Sequence, residues 1–119
     1  MLKLLSTIML LATIPVFAGE VENNLNKGHN IFLYLYSADC YYCKEFTPRY
    51  NKLAKTHDGQ FNFIKVDTKT PYGYSLISQY HGMYVPYVLL INKTRAVPLM
   101  PSCLSDMMCI EKSMKDFRG

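Results

Sequence analysis

The chain mixes short runs that are apolar throughout with longer runs whose apolar positions recur at helical spacing. Residues 31–36, IFLYLY, form an unbroken run of β-branched, leucine and aromatic side chains. Such a run, without polar alternation, predicts a strand buried on both faces. From Cys40 the period changes. Cys43, Phe46, Tyr50, Leu53 and Ala54 mark one helix face, while Lys44, Arg49, Lys52 and Lys55 fall elsewhere around it. Pro48 lies inside this helix, and the turn residues HDG at 57–59 end it. A second strand is expected over 61–66 and a short helix over 75–80. A third strand follows over 85–91, with Pro86 among its first residues, and Pro98 marks an edge strand over 96–100. The last helix, over 105–117, carries a Met107, Ile110, Met114 and Phe117 stripe. Its methionines read as core packing rather than as copper ligands. The polar, Asn-rich segment 19–30 reads as a flexible arm before a domain over 31–119. The order β-α-β-α-β-β-α predicts an α/β domain: a four-stranded mixed sheet flanked by helices.

The first residues change the setting. Lys3, the apolar stretch from Leu4 to Phe17, and Val16-Phe17-Ala18 have the layout of a secretory signal peptide over 1–18. Pro15 and the shortness of the stretch argue against a membrane anchor. The expected location is therefore periplasmic or otherwise exported, with no membrane attachment after cleavage. In an oxidising compartment an even cysteine count reads first as disulfides, and all 4 cysteines lie beyond residue 18. The net charge is +4, but the lysines are scattered and no basic block interleaves with aromatics. Nucleic acid is thus not an expected partner. No metal is expected either, since the Cys103 and Cys109 spacing suits a zinc site poorly and His57 and His81 stand alone.

The chemistry concentrates in SADCYYCKEFTP, residues 37–48. Placed between a buried strand and a helix, Cys40 should lie at the helix N-terminus. Unpaired N–H groups and the helix dipole favour thiolate there. Lys44 helps, while Asp39 opposes as a like charge that is able to turn into water. Cys43, one turn on, faces the core. One exposed, activated sulfur and one sheltered sulfur are what disulfide exchange requires.

The apolar strand, Cys40-Tyr41-Tyr42-Cys43, Lys44, Pro48 and the later Val85-Pro86 together resemble the thioredoxin superfamily. DCYYCKEFTPRYNKLA is similar, within it, to exported thioredoxin-like proteins of conjugative DNA-transfer systems. The resemblance implies the thioredoxin fold and thiol–disulfide exchange at Cys40 and Cys43. It also implies a cis Pro86 lying against the disulfide. Tyr41, Tyr42, Val85 and Pro86 are the expected substrate-binding residues, with Tyr84 and Tyr87 completing an exposed aromatic platform. Tyr34 stands where the family's reductases keep a buried carboxylate. Cys103 and Cys109 are expected to form a structural disulfide. No cofactor is expected. The expected partners are protein substrates with thiols or disulfides and a redox-recycling protein, and the chain is expected to act as a monomer. The alternative is a redox-inert binding module of a secretion or conjugative-transfer assembly.

Overall fold

The computed structural model describes residues 19–119; the signal peptide expected over 1–18 lies outside the described residues. The chain runs α1 (Glu20–Asn26), β1 (Ile31–Tyr36), α2 (Tyr41–Thr56), β2 (Asn62–Asp67), α3 (Pro71–Gln79), β3 (Tyr87–Ile91), β4 (Ala96–Pro98), α4 (Pro101–Leu104) and α5 (Met107–Arg118). The 4-stranded sheet has the order β2-β1-β3-β4. β1 pairs parallel with β2 and antiparallel with β3, and β3 pairs antiparallel with β4. This is the thioredoxin fold, with a mixed sheet flanked by helices.

β1 is central because both its faces are apolar. Ile31, Leu33 and Leu35 enter one core with Val21, Ile64, Leu76 and Leu89. Phe32 and Tyr34 enter the other, with Phe46, Leu53, Ile110, Met114 and Phe117. Alternate side chains of a strand point to opposite faces, so a wholly apolar strand demands cover on both. The helical stripes expected for α2 and α5 supply it on one side: Phe46, Tyr50 and Leu53 on α2, Ile110, Met114 and Phe117 on α5 are buried.

Several boundaries differ from those the pattern predicts. α3 begins at Pro71, because Thr70 Oγ1 caps it by accepting the Gly73 N–H at 3.0 Å and Pro71 needs no donor in the first turn. Gly73 is required there, since a Cβ would lie 1.9 Å from the Asp67 carbonyl oxygen. The last helical region divides. Pro101 starts α4, and α5 begins after Asp106, whose Oδ1 accepts the Met108 and Cys109 N–H groups at 3.0 and 3.3 Å.

The arm expected over 19–30 is corrected. Glu20–Asn26 is helical, with Val21 fully buried. Glu22 Oε1 accepts the Gly19 N–H at 3.1 Å, and the Tyr72 hydroxyl bonds the Val21 N–H at 2.9 Å and Glu22 Oε1 at 2.8 Å. A helix this short is unstable alone. Its contacts with α3 and the sheet hold it. Among the described residues no helix is long and apolar enough to cross a membrane.

Candidate functional site

The turn from β1 into α2 places the cysteines. Cys40 is the N-cap of α2, with extended backbone dihedrals, and its Sγ accepts the Cys43 N–H at 3.0 Å. Cys40 and Cys43 are joined in a disulfide, with Cα atoms 5.2 Å apart. Cys40 is half-buried, whereas Cys43 is 2% exposed. The helix N-terminus therefore directs one backbone N–H, that of Cys43, at sulfur. A thiolate released at Cys40 would meet an N–H and the positive end of the dipole. The side on which an attacking sulfur is reached is also the side with electrostatic support.

Below the disulfide lies a cradle of hydroxyls. The buried Tyr34 Oη donates to the Cys43 carbonyl at 2.9 Å, and Thr47 Oγ1 donates to the same carbonyl at 2.8 Å. The two hydroxyl oxygens are 3.0 Å apart. Burial raises the Tyr34 pKa above the ordinary phenol value, outweighing the opposing effect of the Thr47 hydrogen bond. Tyr34 is thus a neutral donor at the level where a reductase of this superfamily would hold an acid. The Lys65 ammonium sits 4.6 Å from the Tyr36 ring centroid and 5.9 Å from that of Tyr34. Thr47 has no distinctive signal in the sequence. Its part depends on being one turn beyond Cys43 and opposite Tyr34.

Asp39 lies exposed to water, as expected, and is held there by two partners. Its Oδ1 accepts from Ser37 Oγ at 2.9 Å, and its Oδ2 is 3.1 Å from Lys69 Nζ. The Ser37 hydrogen bond, then Lys69, lowers its pKa below the usual carboxylate value. It stays ionised, but Lys69 offsets its charge beside Cys40. Lys44 is exposed.

A groove of about 530 Å³ opens beside the disulfide helix. Tyr42, Phe46 and Arg49 of α2 form one side, Val85 and Pro86 the floor, and α4 with its flanks the other. The Val85–Pro86 peptide is cis. Of the expected substrate-binding residues, Tyr42, Val85 and Pro86 line the groove. Tyr41 stands outside it on the exposed rim, its hydroxyl donating to Glu45 Oε2 at 2.9 Å and its ring edge-on to that of Tyr42. Tyr84 joins the lining. Tyr87 does not belong to the platform: it is 5% exposed, and its hydroxyl donates to the Tyr80 carbonyl at 2.8 Å. It is the first residue of β3, and its side chain enters the core on the α3 side. Glu45, Arg49 and the α4 wall are lining residues that sequence reasoning did not single out. Arg49 falls off the apolar face read from the sequence, but its spacing of three from Phe46 and four from Glu45 along α2 sets it beside them at the groove. The α4 wall was not legible in the sequence, because only the chain's return from β4 brings it there.

Cys103, in α4, and Cys109, in the first turn of α5, form the second disulfide, with Cα atoms 5.4 Å apart. Among the described residues no three His, Cys, Asp or Glu side chains gather as a metal ion would require.

The thioredoxin family matches residues 12–104. No curated protein matches the chain. Among solved structures, the J-Trx1 fragment of ERdj5 aligns with a TM-score of 0.72 at 18% identity, over 83% of this chain and 46% of that one. This chain therefore spans about half of that fragment. Fasciola hepatica thioredoxin gives 0.68 at 18% identity, over 81% and 89% of the two chains. A reduced Schistosoma mansoni thioredoxin pre-protein gives 0.68 at 20% identity, over 83% and 90%.

Proposed function

The chain belongs to the thioredoxin family, and from that premise we propose that it is an exported thiol–disulfide oxidoreductase working through Cys40 and Cys43 on protein substrates. The observation that carries this reading is the asymmetry at the start of α2. Cys40, the reachable sulfur, accepts a helix N-terminal N–H, while Cys43 is buried behind it.

In the reducing direction, the Cys40 thiolate attacks one sulfur of a substrate disulfide. The S–S bond breaks, a Cys40–substrate disulfide forms, and the other substrate sulfur leaves as thiolate and takes a proton. Cys43, giving up its own proton, then attacks Cys40 Sγ. The second substrate sulfur departs as thiolate, and Cys40–Cys43 is left oxidised. The reverse sequence oxidises a substrate dithiol. A recycling protein resets the pair in either case. Tyr34 and Thr47 hold the Cys43 carbonyl, so the resolving residue keeps its place while its sulfur changes partner. The Val85-Pro86 segment and Tyr42 border the path along which substrate backbone reaches Cys40.

Export rests on Lys3, the apolar stretch after it and Val16-Phe17-Ala18. Intact-mass measurement of protein from the exported fraction tests it, and a mass that includes residues 1–18 sinks it. For the chemistry, reduced protein is alkylated at mildly acidic pH. Cys40 should label well before Cys43, and Cys43→Ser should accumulate mixed disulfides. An ordinary thiol pKa near 8.5 at Cys40 contradicts the reading.

A second reading has one observation in its favour, the exposure of Tyr41 and Tyr42 at 65% and 68% beside the disulfide. A thioredoxin-fold module with an inert disulfide would use that rim to dock onto a secretion or conjugative-transfer assembly. The reduction potential of Cys40–Cys43 separates the two. Structural disulfides lie below about −300 mV, and exchange catalysts between roughly −270 and −120 mV.

A further inference from the structure

The groove beside Pro86 has apolar walls and a charge inside it. Phe46, Val85 and Leu104 line it together with Arg49, which is only half exposed. Of the neighbouring carboxylates, Asp39 is paired with Lys69 at 3.1 Å. The Glu45 carboxylate, which also borders the groove, keeps its charge but is turned to the Tyr41 hydroxyl at 2.9 Å and forms no ion pair with Arg49. Arg49 has none of these partners. Its Nη1 donates to the Glu45 backbone carbonyl at 3.2 Å, and among the described residues it makes no ion pair. A guanidinium has five N–H donors in a planar fork that matches a carboxylate. One of the five is used. Lys44, the other cation on this part of α2, is exposed and lies outside the groove.

Building on the oxidoreductase reading, we propose that Arg49 is a specificity-determining residue. It selects substrate segments that carry an aspartate or glutamate a few residues from the reacting cysteine, with an apolar side chain between them. The apolar side chain fills the groove over Phe46 and Leu104, and the acidic side chain continues along α2 to the guanidinium. A lysine or arginine at that substrate position would bring a like charge into a partly desolvated groove, where it is screened less than on an open surface. The occupant is thus an acidic, apolar-flanked stretch of a protein disulfide substrate, chosen by charge complementarity.

The test uses mature protein and two sets of peptides. Each peptide has one cysteine in a mixed disulfide with a reporter thiol, and an apolar neighbour. The sets differ only in Glu or Lys, placed in turn at each position within four residues of the cysteine. At one or two adjacent positions the Glu peptide should show kcat/KM about tenfold higher, as expected for one charge-assisted hydrogen-bonded pair. Arg49→Gln should remove the preference, Arg49→Glu should invert it, and Arg49→Lys should keep part of it. Rising salt should shrink it. Serine analogues of the same peptides, which do not exchange, give the docking preference separately by titration. If exchange proceeds equally with both sets, or the preference survives Arg49→Gln, the specificity proposal is overturned while the redox reading stands. If the serine analogues show the preference and no peptide exchanges, the redox reading fails and the recognition role of Arg49 stands.

Discussion

The two disulfides both involve the start of a helix, and their surroundings differ in one respect that matters for chemistry. At α2 the N-cap is Cys40 itself, and the helix N–H of Cys43 points at its sulfur at 3.0 Å. At α5 the N-cap is Asp106, whose carboxylate takes the Met108 and Cys109 N–H groups at 3.0 and 3.3 Å. Helix N–H donation that would stabilise a thiolate is left to sulfur in one case and used by a carboxylate in the other. Asp106 also puts a negative charge beside Cys109, which disfavours its thiolate. The charge of Asp39 beside Cys40 is offset by Lys69. A helix start alone therefore does not make a cysteine reactive. What occupies the cap decides whether its dipole serves the sulfur.

The largest effect should come from breaking one disulfide and then the other. Cys40→Ser should reduce insulin-disulfide reduction to background. The double variant Cys103→Ser/Cys109→Ser should retain exchange and lose about 2 kcal/mol of stability, the closure entropy of so short a loop. Its KM should rise, because α4 forms a wall of the groove. Loss of exchange in the double variant, with Cys40→Ser still active, would reverse the comparison. In a redox titration Cys40–Cys43 should open at the less reducing potential, and coincident midpoints would remove the distinction.

Next in size is Tyr34→Phe, which deletes the hydroxyl beneath Cys43 and leaves its buried carbonyl to Thr47 alone. Chemical denaturation should show a loss of about 1–3 kcal/mol. Cys43→Ser/Tyr34→Phe should still form mixed disulfides, since the attacking sulfur is untouched. An unchanged stability would show that the hydroxyl cradle contributes nothing.

Asp106 sharpens the contrast from the other side. Asp106→Ala should cost about 1 kcal/mol through loss of the cap. Asp106→Asn keeps an acceptor and removes the charge, so reduced protein should alkylate faster at Cys109 at mildly acidic pH. If Asp106→Asn leaves Cys109 labelling unaltered, the carboxylate is not what holds that thiol inert.

The smallest effect concerns the tie between the two disulfide-bearing helices. His57, the C-cap of α2, has Nδ1 3.0 Å from Gln60 Oε1 and Nε2 3.0 Å from Glu111 Oε2 on α5. The Gln60 and then the Glu111 hydrogen bond raise its pKa above the ordinary value. A raised folded-state pKa contributes stability that is complete below the unfolded value near 6.5 and is lost as pH rises through the folded one. Melting temperature should therefore fall slightly from pH 6 to pH 8, by under about 1 kcal/mol in free energy for a partly exposed pair. Glu111→Gln should flatten that slope, and a slope of opposite sign would refute it.

Much of this protein was legible along the chain because the deciding signals are local. The unbroken IFLYLY run placed β1 at the centre of a two-sided core. The helical spacing from Cys43 to Leu53 placed α2, and the junction between them put Cys40 at a helix start. The resemblance of CYYC, Pro48 and Val85-Pro86 to thioredoxins then named the fold. What tertiary structure decided lies between residues distant in sequence. Tyr34 meets Thr47 only because α2 folds back over β1. Asp39 finds Lys69 across the ends of β1 and β2. Tyr87 turns into the core rather than toward the groove. The polar segment at 20–26 becomes helix because Tyr72 and the sheet cover Val21. The α4 wall reaches Tyr42 and Pro86 only after β4 returns the chain. Local periodicity reports which face of an element is apolar, and so determines that the element forms and must be covered. Which side chain then meets a given charge, carbonyl or sulfur depends on how the covered faces seat against each other.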